Sequence, residues 1–390
     1  MFAVFLHPFP LRGLAAPLLW VFYRLANQLG RQAVFFLSGD YLASPQIFAQ
    51  AGRWEFSAQA QAALGYRVPA RSELDALYVE LVPDRWVESM RRRFGEDGVG
   101  PWRHFLLEED EPLQQWLQDA VQARERALGE RFEAIFVWNN CLALRRAAAT
   151  LGRPLLHWEL GPLRLPQFRQ TVYLDAAGVN GGTESEERFR RACRSGEVKK
   201  LPEYSREDLM RLLATQPVGC APEPEFELGV PLQVDDDSNL VAYANGYDNA
   251  RLLSLALARC SAPSRLLVRN HPNRSAPLPG GAFAVDHSPG SVEFINRCER
   301  ILTINSGVGA EALLAGRPVE ALGDSPYVHI ARSAGGTWEQ AAALRFFFLC
   351  YLVPWTLLFD PAYVRWRLGV PTEAQIAARH LAEYAAGGAF

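Results

Sequence analysis

The chain has 390 residues, of which 49% are hydrophobic and 21% charged, with a net charge of −3. That balance excludes a disordered chain, gives no basic surplus for a nucleic-acid partner, and is long enough for two domains. The six cysteines (141, 193, 220, 260, 298 and 350) include no C-x-x-C pair, which excludes a zinc ribbon or dithiol redox centre and fits reduced thiols in a cytosol.

Taken in order, residues 1–6 read as a first strand and residues 14–29 as an apolar helix. The start lacks the basic run of a signal peptide. Residues 32–37 form a second strand that ends in Ser38, Gly39 and Asp40, and a polar turn at a strand end is a usual site position in α/β folds. From 72 to 129 the pattern is helical, with Trp86, Met90 and Phe94 spaced as a core stripe. Strands follow at 132–138 and 154–158, with a helix at 142–151 between them, a rhythm that predicts a parallel sheet. Residues 183–196 and 203–213 read as charged, surface helices. Residues 216–225 carry three prolines and no periodicity, which predicts a linker.

Beyond it, the pattern is strand, loop, strand, glycine-rich turn, helix and short strand over residues 264–323. Short apolar strands at 266–268 and 301–304 suit a buried parallel sheet. Asn305, Ser306, Gly307 and Gly309 open a helix around 310–315, with Gly316 at its C-terminal cap. A helix that starts directly after a strand directs free N–H groups toward an anion, and glycines there allow close approach. The same turn also suits an ordinary strand-to-helix connection. An apolar run at 346–359 is too short to span a bilayer; it predicts a core helix or contact with a membrane surface.

Several polar groups fall at predicted strand ends. Glu159 precedes a Gly161–Pro162 loop. Gln233, Asp235, Asp236 and Asp237 follow a strand. In an extended segment Asp235 and Asp237 face one way and Asp236 the other. Catalysis, Mg²⁺ binding and helix capping all remain open for this triplet. Arg269 and His271 place a cation and an imidazole at the end of the next strand.

Together these motifs resemble the retaining β-Kdo (3-deoxy-D-manno-octulosonic acid) glycosyltransferases of bacterial capsule and O-antigen synthesis. The matching residues run in the family's order: Ser38-Gly39-Asp40; Glu159 with Asp175, Gly178 and Asn180; Gln233 with Asp237; Arg269 with His271 and Pro272; and Asn305, Ser306, Gly309 and Glu311. The resemblance implies an α/β, GT-B-like fold with two Rossmann-like domains facing a cleft. It implies transfer of Kdo from CMP-Kdo to a saccharide or lipid-linked glycan through an aspartyl-Kdo adduct. Retention requires two inversions, so a carboxylate attacks first. By this match Asp237 is the nucleophile, Glu159 the base and His271 an aid to the leaving phosphate. Arg269, Gln233, Asp236, Asn305, Ser306, Gly307, Gly309 and Glu311 bind the donor, and Asp40 and Gly39 are further candidates.

The expected division is an acceptor-side domain over 1–220, a donor domain over 221–342, and helices over 343–390 packing across both, with Glu159 and Asp237 in different domains. No metal or other cofactor is expected. Expected partners are CMP-Kdo, the glycan acceptor and other glycosyltransferase modules, with no nucleic acid and at most peripheral membrane contact. The expected location is cytoplasmic, at the inner face of the inner membrane. Rival readings are a transferase for another CMP-activated sugar acid, such as sialic acid, and a non-catalytic glycan-binding module.

Overall fold

The structure is a computed structural model; it describes all residues except 10, 12, 96, 217–222, 274–280, 334 and 388–390. It divides into two compact units, one of residues 1–158 and 359–367, the other of residues 159–358 and 368–390.

The first unit is built on parallel strands, most of them buried. They are β1 (Phe2–Phe5), β2 (Ala33–Leu37), β3 (Tyr78–Leu81), β4 (Ile135–Trp138) and β5 (Leu155–Leu160), in the order β5-β4-β1-β2-β3. β1, β2 and β4 are buried at every position, as expected of strands covered on both faces. The helix Leu19–Leu29 is apolar nearly throughout and buries Leu19 to Leu25. The helix Glu111–Leu128 buries Leu113, Leu117 and Val121, a single stripe at helical spacing, and Asp110 caps its N-terminus. Trp86 and Met90 are buried as the stripe predicts, with Phe94 half-buried. The stretch 72–129 is not helical throughout, because residues 78–81 form β3. β3 is a short, partly exposed edge strand, and four residues with a glutamate among them carry too little alternation to stand out.

In the second unit β6 (Thr171–Asp175) pairs antiparallel with the late strand at Leu352–Pro354. A five-stranded parallel sheet follows: β7 (Phe226–Pro231), β8 (Leu266–Arg269), β9 (Ala284–Val285), β10 (Cys298–Thr303) and β11 (Val319–Ala321), in the order β11-β10-β7-β8-β9. Leu228, Val230, Leu252, Leu266, Val268 and Leu302 form its core. With β7 central, the loops after β10, β7 and β8 leave the same sheet edge side by side.

Both units are therefore Rossmann-like α/β structures, the components of the expected GT-B-like class. The compact units divide at 158/159 rather than at 220/221, because the segment from Glu159 onward makes its contacts with the second unit. Glu159 is thus grouped with Asp237. Most of the expected linker, residues 217–222, lies outside the described residues. The C-terminal region is not wholly helical. Trp338–Phe346 is a helix and Phe347–Tyr351 a π-helical turn, but Leu352–Pro354 is a strand. Pro354 has no N–H to continue a helix and is tolerated at a sheet edge. Phe346, Phe347, Phe348 and Tyr351 are fully buried, so this apolar run is core. Among the described residues no helix is long and apolar enough to cross a membrane. The five described cysteines are free thiols; Cys220 lies outside the described residues.

Candidate active site

A cavity of about 530 Å³ lies within the second unit, over the carboxyl ends of β7, β8 and β10. Its walls include Gln233, Asp237, Arg269, His271, Ser306, Gly307 and Glu311. The structure thus gathers seven of the expected residues from three loops.

The aspartate triplet is a turn, not an extended strand, so the expected alternation does not hold. The backbone N–H of Asp237 donates to the Val234 carbonyl at 3.2 Å. Asp237 then serves as N-cap of the helix Ser238–Tyr243. Its Oδ1 accepts from the Asn239 N–H and the Asn239 side-chain amide, both at 2.9 Å, and from the Ser238 hydroxyl at 3.3 Å. Oδ2 takes none of these bonds. Asp235 is exposed and accepts from the Asn249 amide at 2.6 Å. Asp236 is half-buried in the turn and is not part of the cavity wall. Among the described residues no group of three or more His, Cys, Asp or Glu side chains is placed to hold a metal ion.

A buried amide chain fixes the floor. Asn249 and Gln233 exchange two bonds, Asn249 Oδ1 accepting from the Gln233 N–H at 3.0 Å and Nδ2 donating to its carbonyl at 2.8 Å. Gln233 Nε2 donates to Asn305 Oδ1 at 2.9 Å, and Asn305 Nδ2 donates to the carbonyls of Asn239 at 3.0 Å and Tyr243 at 3.1 Å. This network ties the ends of β7 and β10 to the helix that Asp237 caps, and satisfied buried amides of this kind hold one geometry. Gln233 is therefore framework as much as wall, and Asn305, which does not line the cavity, is framework alone.

The turn after β10 opens the helix Gly307–Leu314, three residues earlier than the spacing predicts. Ser306 is its N-cap, accepting from the Val308 N–H at 3.3 Å, and its carbonyl accepts from the Tyr327 hydroxyl at 2.5 Å. Gly309 differs from its expected place beside an anion. A Cβ there would lie 2.4 Å from the Tyr327 hydroxyl, so this glycine admits a packed tyrosine, and it is absent from the cavity wall. Gly316 ends the helix at φ +81°, as a C-terminal cap requires. Glu311 is buried in the second turn. Burial pushes its carboxyl up to about 7, against the opposing pull of Ser291, Arg164 and Arg269. Its Oε2 has no hydrogen-bond partner among the described residues.

Arg269 is less available than its place in the sequence suggests. Its Nη1 forms an ion pair with the buried Asp286 and donates to the Ser288 carbonyl at 2.9 Å. His271 accepts the Asn273 N–H at Nδ1, 3.1 Å away, which assigns the neutral ring's proton to Nε2. Burial lowers its basicity, the Arg164 and Arg269 charges add to this, and Asp237 opposes it. His271 is thus a neutral donor facing the cavity rather than a second cation.

Glu159 is the penultimate residue of β5, half-buried, with Oε1 accepting the N–H of its neighbour Leu160 at 2.8 Å, and it does not line the cavity. Asp40 and Gly39 lie in the first unit. Asp40 accepts the Ala16 N–H at 2.5 Å and the Ser38 hydroxyl, holding a loop in which Ala16 has φ +45°.

The sequence profile of the glycosyltransferase 99 family N-terminal domain matches residues 4–184, and that of the capsule polysaccharide biosynthesis protein matches residues 211–345. The chain thus carries a glycosyltransferase 99 family N-terminal domain followed by a capsule polysaccharide biosynthesis domain, in keeping with the family that the five sequence motifs resemble. No curated protein matches the chain. Among solved structures, the β-Kdo 2,7 transferase of Thermosulfurimonas dismutans KpsC is 20% identical over 60% of this chain and 82% of that one, with a TM-score of 0.41. The β-Kdo 2,4 transferase of the same KpsC is 18% identical over 61% and 89%, TM-score 0.37. The UDP-GlcNAc 2-epimerase of Methanocaldococcus jannaschii is 11% identical over 88% and 91%, TM-score 0.31.

For a glycosyltransferase the cavity offers a carboxylate oxygen, a buried carboxyl with one unpartnered oxygen, a neutral imidazole donor and a helix N-terminus. Two further residues were not singled out by the sequence motifs: Arg164, a cavity residue just beyond the Gly161–Pro162 loop, and Asn249, whose role needs the fold to be visible. A cation three residues after a glycine at a strand end is the signal that marks Arg164.

Proposed function

We propose that this glycosyltransferase moves Kdo from CMP-Kdo to a saccharide or lipid-linked glycan, with retention and a β linkage, through an aspartyl-Kdo intermediate. The observation that carries the reading is the division of labour within the Asp237 carboxylate. Oδ1 caps a helix and fixes the group, while Oδ2 takes no part in capping and belongs to a residue of the cavity wall. A nucleophile held by one oxygen and free at the other needs little reorganisation to attack an anomeric carbon.

In the first displacement Oδ2 of Asp237 bonds to the anomeric carbon as the bond to the CMP phosphate breaks, and CMP departs as the anion. His271 Nε2–H donates to the departing phosphate oxygen. In the second, the acceptor hydroxyl attacks the same carbon, Glu159 takes its proton, and the Asp237 ester bond breaks. CMP lies across the start of the helix Gly307–Leu314, with the ribose hydroxyls donating to the unpartnered Oε2 of Glu311. Neither step calls for a metal, since helix N–H groups and side-chain donors meet the phosphate. The acceptor is met at the cytoplasmic face of the membrane, where lipid-linked glycans are built.

The test is intact-protein mass spectrometry of Glu159→Gln with CMP-Kdo. The variant lacks the base for the second displacement only, so it accumulates one Kdo on a peptide containing Asp237. An unmodified Glu159→Gln protein that still releases CMP and transfers Kdo removes Glu159 as the base, and an Asp237→Asn protein that transfers Kdo at the wild-type rate sinks the double-displacement reading. Turnover of CMP-sialic acid in place of CMP-Kdo would transfer the same chemistry to a different sugar acid.

A further inference from the structure

Arg164 occupies the cavity wall on a loop fixed at both ends. The Gly161 N–H donates to the Thr171 carbonyl at 2.8 Å, the Thr171 N–H to the Leu163 carbonyl at 3.1 Å, and the Phe168 N–H to the Arg164 carbonyl at 3.0 Å. A Cβ at position 161 would lie 2.3 Å from the Thr171 hydroxyl, so only glycine permits this approach. At the far end Gln167 accepts from the Ser291 hydroxyl at 2.8 Å and donates to Glu293 at 3.1 Å. Arg164 as a whole is exposed, and its Nε donates to the Gly161 carbonyl at 3.2 Å.

The charges around the cavity do not balance for an anionic ligand. Asp237, Glu293 and Glu311 bring carboxyl groups to the wall. Arg269 is tied up in an ion pair with Asp286, which Arg297 also contacts at 3.4 Å, and His271 is uncharged. Among the described residues of the wall, Arg164 is the cation with no carboxylate in ion-pair distance. Its charge nevertheless reaches both Glu311 and His271. A nucleotide-activated sugar acid carries two anionic groups, a phosphate and a carboxylate, into this space.

We infer that Arg164 is the donor's anion clamp and a determinant of specificity for acidic nucleotide sugars, while Arg269, locked to Asp286, positions the end of β8. This rests on the reading of the site as one for a CMP-activated sugar acid. A planar guanidinium grips phosphate or carboxylate through two parallel bonds, and a rigid loop lowers the entropic cost of doing so.

Calorimetry of the full chain with CMP and with CMP-Kdo, for the wild type, Arg164→Gln and Arg164→Lys, decides it. Arg164→Gln is expected to weaken binding by roughly ten- to hundredfold, the range of a charge-assisted hydrogen bond, and to flatten its salt dependence. Arg164→Lys should recover part of the loss. Equal losses for both ligands place the clamp on the phosphate; a loss confined to CMP-Kdo places it on the sugar carboxylate. Wild-type affinity of folded Arg164→Gln for both ligands overturns the inference and leaves the nucleotide-sugar reading standing. A wild-type chain that binds neither overturns both.

Discussion

The side-chain amide of Asn180 donates to the hydroxyl of Ser238 at 3.0 Å, and Ser238 in turn donates to Asp237 Oδ1 at 3.3 Å. Asn180 has φ +67°, a conformation asparagine tolerates better than most residues. Its loop is organised by Asp175, whose Oδ1 accepts the N–H groups of Ala177 at 2.7 Å and Gly178 at 3.0 Å. The motif residues Asp175, Gly178 and Asn180 thus act on Asp237 at one remove. Asn180→Gly keeps the backbone conformation and deletes only the amide. One neutral hydrogen bond is worth about 1 kcal/mol, so kcat should fall roughly fivefold to tenfold with KM unchanged. A rise in KM at constant kcat would show that Asn180 serves binding instead. Steady-state transfer kinetics separate the two.

Glu311 should trade stability for binding. Its carboxyl titrates near 4.5 when unfolded and is pushed up to about 7 in the fold. Folding therefore loses stability as pH rises from about 4.5 toward about 7, because the unfolded chain sheds this proton first. Glu311→Gln removes that penalty. At pH 8 it should unfold at higher urea, by on the order of 2–3 kcal/mol, yet bind CMP more weakly. A variant that is less stable at pH 8 would mean that the buried carboxylate is compensated by contacts elsewhere.

His104 gives the opposite sign. Its Nε2 bonds Asp110 at 2.9 Å and its Nδ1 bonds Glu108 at 3.0 Å, with Arg93 nearby. The Asp110 bond is the largest cause raising its basicity, against burial and Arg93. A raised histidine stabilises the fold fully below about pH 6.5, and the gain is lost as pH climbs through the higher folded value. Because Asp110 also caps the helix Glu111–Leu128, the melting temperature should decline above neutral pH and flatten in His104→Gln. A wild-type profile that rises from pH 6.5 to 8.5 would contradict this.

Arg188 and Glu373 show why part of the fold was illegible in the sequence. Residues 183–196 read as a charged surface helix, yet Arg188 is buried and bonds both oxygens of Glu373, at 3.0 and 2.8 Å, from 185 positions away. Charge pattern reports local amphipathicity, whereas this pair exists only once the late helix Glu373–Ala386 is in place. Strands such as β1, β2 and β4 were legible because burial on both faces demands continuous apolar runs. The site loops after β7, β8 and β10 were legible because polar residues interrupt those runs abruptly. Arg269 shows the limit, since nothing near it in sequence announces Asp286. Glu373→Ala leaves the buried guanidinium with Glu184 alone as a carboxylate partner, 3.2 Å from Nη1, and should cost on the order of 3 kcal/mol in denaturant titrations. A loss below about 1 kcal/mol would show that the pair behaves as a surface contact.

The three adjacent aspartates allow the nucleophile to be singled out, because each is held differently. Asp235 is exposed and its Oδ1 accepts from Asn249, a bond that asparagine's carbonyl oxygen can also accept. Asp236 lies in the turn outside the cavity wall. Asp237 alone among them lines the cavity, with its capping done by Oδ1. Asparagine is as good an N-cap as aspartate, so Asp237→Asn should keep the helix Ser238–Tyr243 and the melting temperature. It replaces an anionic oxygen by an amide that cannot form the sugar ester, so turnover should fall by roughly a thousandfold or more. Asp235→Asn and Asp236→Asn should stay within roughly threefold of wild type, since neither charge reaches the reacting carbon. Parallel kinetics on the three variants, with melting curves as the folding control, give the ranking. If Asp236→Asn is the dead variant and Asp237→Asn turns over, the attacking oxygen belongs to the neighbouring residue, and the cap at Asp237 is purely structural.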